Sequence, residues 1–217
     1  MLEILTKGGW VMYAILTCSI IAVAVTLERL VFYILTREGY KPFLRELKKH
    51  ILQGNIQEAI KFAMNKKTAI SRISVGYLCN IHLGKEELEE ILYQIGSEEL
   101  KKMEQHLPVL SAIAHLTPLM GLLGTVLGMI ICFQELQTLG GQADVTALAG
   151  GIWAALLTTA FGLIIAIPVT AIHHYFENDV NNRNDEIHHL ISELHIIFNE
   201  KEINGKREAL NEVIQAK

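Results

Sequence analysis

The chain has 217 residues, 51% of them hydrophobic and 19% charged, with a formal net charge of -4. Its mean hydropathy of +0.31 sets it above an average soluble domain, in which roughly 45–50% of residues are apolar even with glycine counted. The acidic balance excludes a globally basic nucleic-acid-binding surface. The three cysteines (Cys18, Cys79, Cys132) show neither CxxC nor Cys/His metal spacing, so they read as buried thiols rather than a disulfide framework.

The first element is the uncharged apolar segment Gly8 to Leu27, whose apolar character continues past Glu28-Arg29 to Leu35. Only Lys7 flanks it on the N-terminal side and no A-x-A site follows, so it reads as an uncleaved membrane helix and not a signal peptide. A lipoprotein reading at Cys18 fails because a long apolar run follows the cysteine. Glu28 and Arg29 fall near the inner end of the span, where long side chains snorkel and pair.

From Arg37 to His106 the composition is that of a soluble helical domain, punctuated by Pro42 and Gly54-Asn55. Phe43, Leu44, Leu47 and Ile51 keep a helical period, as do Ile56, Ala59, Ile60 and Ala63 after Asn55, which reads as an N-cap. A further helix is predicted over Ile73 to Ile81, ending near Gly84. The next starts acidic (Glu86, Glu87, Glu89, Glu90) and ends basic (Lys101, Lys102), matching the helix dipole. That acidic cluster reads as a solvated helix start, with a cation or partner site as the alternative.

Two long stretches follow without Asp, Glu, Lys or Arg, one between Glu104 and Glu135 and one between Asp144 and Glu177. Each is about 30 residues, more than the ~20 that cross a bilayer core as helix. The link between them has no Lys or Arg and a Gly140-Gly141 break, so the pair reads as a membrane hairpin. Gly150, Ala154, Thr158, Gly162, Ala166 and Thr170 recur every fourth residue, with Ala147, Gly151, Ala155 and Thr159 as a second row. Gly121, Gly124, Thr125 and Gly128 make a narrow face on the preceding span. Small residues at this spacing let helix backbones approach in lipid, where apolar burial supplies no drive to associate. Pro118 and Pro168 lie inside the spans and predict kinks, which either shape a pore or are absorbed by packing.

Lys and Arg concentrate between Arg29 and Lys102 and after Arg183, which predicts a cytoplasmic middle domain and C-terminus and an N-terminus and hairpin loop outside. After Pro168 the helix runs through His173-His174 into a stripe of Phe176, Val180, Ile187, Leu190, Ile191, Leu194, Ile197 and Phe198, suited to packing against neighbouring copies. Lys201 to Lys217 is polar and broken at Asn204-Gly205. The resulting organisation is an N-terminus and first span at 1–36, a helical domain at 37–106, spans at 107–134 and 146–176 around a loop at 135–145, and a C-terminal helix and tail at 177–217.

The segment T-P-L-M-G-L-L-G-T-V-L-G-M-I (Thr117 to Ile130), followed by G-G-I-W-A-A-L-L-T-T-A-F-G-L-I-I-A-I-P (Gly150 to Pro168), resembles the ExbB/TolQ/MotA proton-channel family, most like ExbB or TolQ. The run L-E-R-L-V-F-Y at Leu27 to Tyr33 is similar to the end of the first helix in ExbB-like proteins. The resemblance implies an all-α membrane protein with three transmembrane helices and helical cytoplasmic extensions, oligomerising around a central pore in the bacterial inner membrane. It further implies a homopentamer, bathed in membrane lipid, holding an ExbD/TolR-like single-span protein. Proton flow through it would energise TonB-dependent outer-membrane transport through a TonB-like protein. A TolQ-type role in envelope integrity through a TolA-like protein, or a non-conducting scaffold, is the alternative.

On this resemblance Thr125 and Thr159 occupy the polar threonine positions of the pore-facing helices, with Thr158 and Thr117 behind them. From the residues alone, each hydroxyl can equally back-bond to its own helix. Gly121, Gly124, Gly128, Gly151, Gly162, Pro118 and Pro168 would set helix packing and pore shape. Many family members carry Glu in G-I-x-E-A-L, but here that position, which the resemblance places along the pore with Thr125, Thr159 and Thr158, is Ala154, so the resemblance assigns the proton-carrying Asp to the partner. No cofactor, enzymatic activity or metal is expected. Ser111 and His115 form an i, i+4 pair without an oxyanion element, which leaves a hydrolase reading weak. Neighbouring histidines in His173-His174 and His188-His189 point to different sides of a helix and read as interfacial. Trp10, Tyr13 and Trp153 are candidate interface anchors.

Overall fold

The computed structural model describes residues 9–36, 39–138 and 145–215, with side chains described in 9–36, 39–138 and 148–199. The Gly140-Gly141 break, Lys7, and the side chains of Ala147 and Lys201–Lys217 lie outside them. The described elements are all helical: α1 (Gly9–Thr36), α2 (Tyr40–Leu52), α3 (Ile56–Met64), α4 (Ala69–Cys79), α5 (Lys85–Glu104), α6 (Leu107–Thr138) and α7 (Val145–Gln215). The chain divides into two compact units, Met1–Phe32 with Gln105–Asn178, and Tyr33–Glu104 with Asp179–Lys217.

The first unit holds the apolar parts of α1, α6 and α7, and among the described residues three helices are long and apolar enough to cross a membrane. α6 alone, at 32 residues, is about 48 Å long at 1.5 Å per residue. α1 turns Val11, Met12, Ile15, Ala22 and Arg29 inward and leaves Trp10, Ile20, Val23, Leu27 and Val31 exposed. On α6 and α7, Leu119, Leu122, Ile130, Trp153, Leu156, Ile164 and Ile167 are likewise exposed. In water such a surface is an aggregation hazard; in lipid it is solvated, because each helix satisfies its own backbone. α6 and α7 run through Pro118 and Pro168 without interruption.

Glu28 and Arg29 pair as expected, with Arg29 Nε donating to Glu28 Oε2 at 2.7 Å. Arg29 is buried, at 2% exposure, so it does not snorkel; its guanidinium lies over the Phe32 ring, 4.8 Å from the centroid. His106 joins the pair, its Nδ1 3.0 Å from Glu28 Oε2. It does so from a left-handed backbone conformation (φ 68°) that turns the chain between α5 and α6.

In the second unit α2 buries Phe43, Leu47 and Ile51 and stops at Gly54, whose φ of 81° is open to glycine at no steric cost. Asn55 precedes α3 where an N-cap belongs, but its side chain accepts no cap hydrogen bond and instead donates from Nδ2 to Glu58 Oε2 at 3.3 Å. α4 starts four residues earlier than the periodicity predicts, because Thr68 and Ser71 close a reciprocal capping box. It ends at Cys79, where Asn80 donates to the Gly76 carbonyl at 2.8 Å. α4 is the core helix of the unit, burying Ile73, Tyr77 and Leu78 among others.

The apolar stripe of α7 corrects an expectation. Val180, Ile187, Leu190, Leu194 and Ile197 are buried within this one chain, and Tyr77 stacks on Phe198 at 5.7 Å. Fully burying each large side chain stabilises the fold by ~1.5–3 kcal/mol, so the stripe serves the chain's own core rather than neighbouring copies. α7 also continues through Asn204-Gly205 without the anticipated break. The cysteines are free but not uniformly buried: Cys132 is buried, Cys18 half-buried and Cys79 exposed.

Candidate functional site

Gly121, Gly124 and Gly128 of α6 face Thr159, Thr158 and Ala155 of α7, Gly162 faces Thr117, and Gly151 faces Cys132 Sγ. Stepping forward along α6 steps backward along α7, so the two helices run antiparallel with small residues meeting at every turn. A Cβ at Gly162 would stand 2.6 Å from the Thr117 carbonyl oxygen, and one at Gly121 2.9 Å from the Thr159 Cα. At both positions backbone meets backbone. At Gly128 the obstacle is the Ala155 Cβ at 2.8 Å, and at Gly124 the Thr158 Cβ at 2.8 Å.

Hydroxyls stitch the same seam. Thr159 Oγ1 donates to the Gly121 carbonyl at 2.8 Å. Thr158 is 1% exposed; its Oγ1 donates to its own Ala155 carbonyl at 2.7 Å and lies 3.4 Å from the Gly121 carbonyl oxygen. Thr117 is fully enclosed and bonds the Ile113 carbonyl at 2.8 Å, one turn before Pro118. Thr125 is half-buried and bonds only within α6, to the Leu122 carbonyl at 2.7 Å. The four threonines are thus not equivalent: two are enclosed between helices, one bridges them, and Thr125 stands apart.

Ala154 is half-buried and borders a crevice of about 210 Å³ between α1, α6 and α7, which Trp10, Val11, Gly124, Gly128 and Thr158 also line. Sequence spacing had no means of finding Trp10 and Val11 at this place, since only tertiary packing brings α1 there. Cys132 opposite Gly151 was likewise invisible. His115 is exposed, with Nδ1 2.7 Å from the Ser111 carbonyl oxygen. Its ring therefore engages the backbone of Ser111 and not the hydroxyl, and no nucleophile–base dyad is formed. Glu86, Glu87, Glu89 and Glu90 are exposed, with Lys85 3.8 Å from Glu89, as a solvated helix start requires.

Three membrane-length helices, two of them joined through a glycine and threonine seam, define a multi-pass helical membrane protein whose spans are shaped by close backbone packing. The chain belongs to the MotA/TolQ/ExbB proton channel family, whose model matches residues 40–189. It is 27% identical over 188 residues to the biopolymer transport protein ExbB homologue of Methanothermobacter thermautotrophicus, covering 86% of this chain and 66% of that one. With biopolymer transport protein exbB1 of Vibrio cholerae it shares 30% identity over 171 residues, 75% of this chain and 73% of the relative. With the Tol-Pal system protein TolQ of Pseudomonas aeruginosa it shares 40% identity over 80 residues, 37% and 34% of the two chains. The family is one of channel and transport-energising subunits rather than enzymes.

Proposed function

We propose that this ExbB/TolQ-like subunit forms a homopentameric sleeve in the bacterial inner membrane, with the N-terminus periplasmic and the C-terminus cytoplasmic. It encloses an ExbD/TolR-like single-span partner, and proton flow through the assembly energises biopolymer transport by way of a TonB-like protein. The observation that carries this reading is the absence of any carboxylate from residues 105–134 and 145–176, stretches otherwise rich in small residues and hydroxyls. A transmembrane proton relay needs a titratable side chain near the midplane; His115 and His173-His174 lie toward the ends of these stretches, so we infer that the group comes from another polypeptide. Thr125 and Thr159 serve as the hydroxyls offered to it. Each donates its own proton to a backbone carbonyl, leaving oxygen lone pairs to accept from a protonated carboxyl or a water. Thr158 and Ala154 lie one step behind them, Thr158 at the seam and Ala154 at the crevice. Pro118, Pro168 and the seam glycines keep the wall narrow.

The test is partner-dependent proton uptake into proteoliposomes by Thr125→Val, Thr159→Val and the double variant. Reduced uptake with intact assembly is expected; unchanged uptake in the double variant refutes the threonine path, and absence of partner-dependent uptake in the parent itself would favour a non-conducting scaffold. A TolQ-type role in envelope integrity is the second reading, supported by the 40% identity with TolQ over 80 residues. Rescue of a TolQ-deficient strain but not an ExbB-deficient one would select it.

A further inference from the structure

We propose that His173, His174 and Glu177 form a binding site for a divalent transition-metal cation of the zinc type. Among the described residues they are the one group of three His, Cys, Asp or Glu side chains whose ligand atoms all lie within 4.8 Å of one another. Their spacing on α7 explains how. His173 and Glu177 are four residues apart and His174 and Glu177 three, so both histidines share a helix face with the carboxylate although they are adjacent in sequence. The His174 Nδ1 is 3.0 Å from Glu177 Oε2. The two imidazole rings meet edge-on, centroids 5.5 Å apart with an interplanar angle of 68°.

A tetrahedral zinc ion with bonds of about 2.0–2.1 Å holds its ligand atoms about 3.4 Å apart. Side-chain rotation covers the remaining distance here, because His174 and Glu177 are exposed and His173 is half-buried. Two imidazoles and one carboxylate suit zinc, nickel or copper and not magnesium or calcium, which take oxygen ligands throughout. A simple His174–Glu177 ion pair would use two of these groups, whereas the His173 ring nitrogen also lies within 4.8 Å of both. Three ligands from one helical turn leave at least one position for water or for a group from another molecule. A bound ion would clamp α7 where its apolar run ends at Phe176.

The experiment uses the full-length, tag-free chain in detergent, stripped of metal and titrated with Co²⁺ followed by visible absorption, then with Zn²⁺ as competitor. One saturable equivalent per chain is expected, displaced by Zn²⁺. His173→Ala and Glu177→Gln should each weaken binding by at least about tenfold, with circular dichroism unchanged, while a His188→Ala/His189→Ala variant binds as the parent does. The proposal is overturned by equal binding in His173→Ala, by loss confined to the His188/His189 variant, or by the lack of saturation at millimolar metal.

Discussion

Gly162→Ala puts the seam to its most direct test. The new Cβ would lie 2.6 Å from the Thr117 carbonyl oxygen and 3.3 Å from the Gly121 Cα, and neither atom can swing aside. α6 must therefore retreat from α7, stretching the 2.8 Å bond from Thr159 to the Gly121 carbonyl. Overpacking of this kind costs ~1–3 kcal/mol, and an interhelical hydrogen bond in a membrane protein contributes ~0.6 kcal/mol. Alanine returns up to ~1 kcal/mol in helix propensity over glycine, so the comparison needs a control that shares that gain. Gly150→Ala is that control, because its Cβ would meet nothing within 4 Å. The two propensity gains cancel between the variants, leaving Gly162→Ala less stable than Gly150→Ala by about 1.5–3.5 kcal/mol. Reversible unfolding in mixed detergent micelles, read by tryptophan fluorescence, measures the difference. Equal midpoints for the two variants would refute backbone contact at this position.

Within the seam, Gly121→Ala should resemble Gly162→Ala, whereas Gly151→Ala should be milder because its obstacle is the rotatable Cys132 Sγ; the same unfolding assay ranks them. Glu99 is 7% exposed and receives Lys102 Nζ at 2.6 Å and Arg72 Nη1. Glu99→Gln should cost ~1–2 kcal/mol rather than the 3–5 of a fully buried pair, because Arg72 and Lys102 reach water when released. Urea unfolding of parent and variant checks this. Burial pushes the Tyr77 hydroxyl up to about 12 from its ordinary value of 10.0, so the folded state keeps the proton that the unfolded chain has begun to lose. Stability from this group is complete below pH 10 and is lost as pH rises toward 12. A plot of melting temperature against pH should fall more steeply there for the parent than for Tyr77→Phe. At neutral pH that variant should lose only the 3.1 Å contact with His195 Nδ1.

What the sequence made legible and what it hid divide by the range of the interaction. Spans declare themselves through runs of uncharged residues because hydrocarbon excludes ions from every face of a helix at once. The small-residue rows likewise follow from the 3.6-residue period, and Gly121, Gly124, Gly128, Gly151 and Gly162 all lie at contacts between α6 and α7. The same period could not say which helix those rows would meet: the glycines close the hairpin on itself, and Thr158 is enclosed with them. The α7 stripe misled for a related reason. A heptad pattern reports that a face is covered, not by what, and here the chain's own core covers it. The capping box at Thr68 and Ser71 was local, and a T-x-x-S pattern could have revealed it without any tertiary knowledge. His106 against Glu28, 78 residues away, could not have been found, because nothing in either neighbourhood encodes the other. The histidine pair at 173 and 174 stands between these cases. Adjacent residues diverge by about 100° around a helix, which argues against joint coordination, yet a carboxylate three and four residues on lies within reach of both rings. For such a site the useful signature is the H-H-x-x-E spacing rather than either histidine alone.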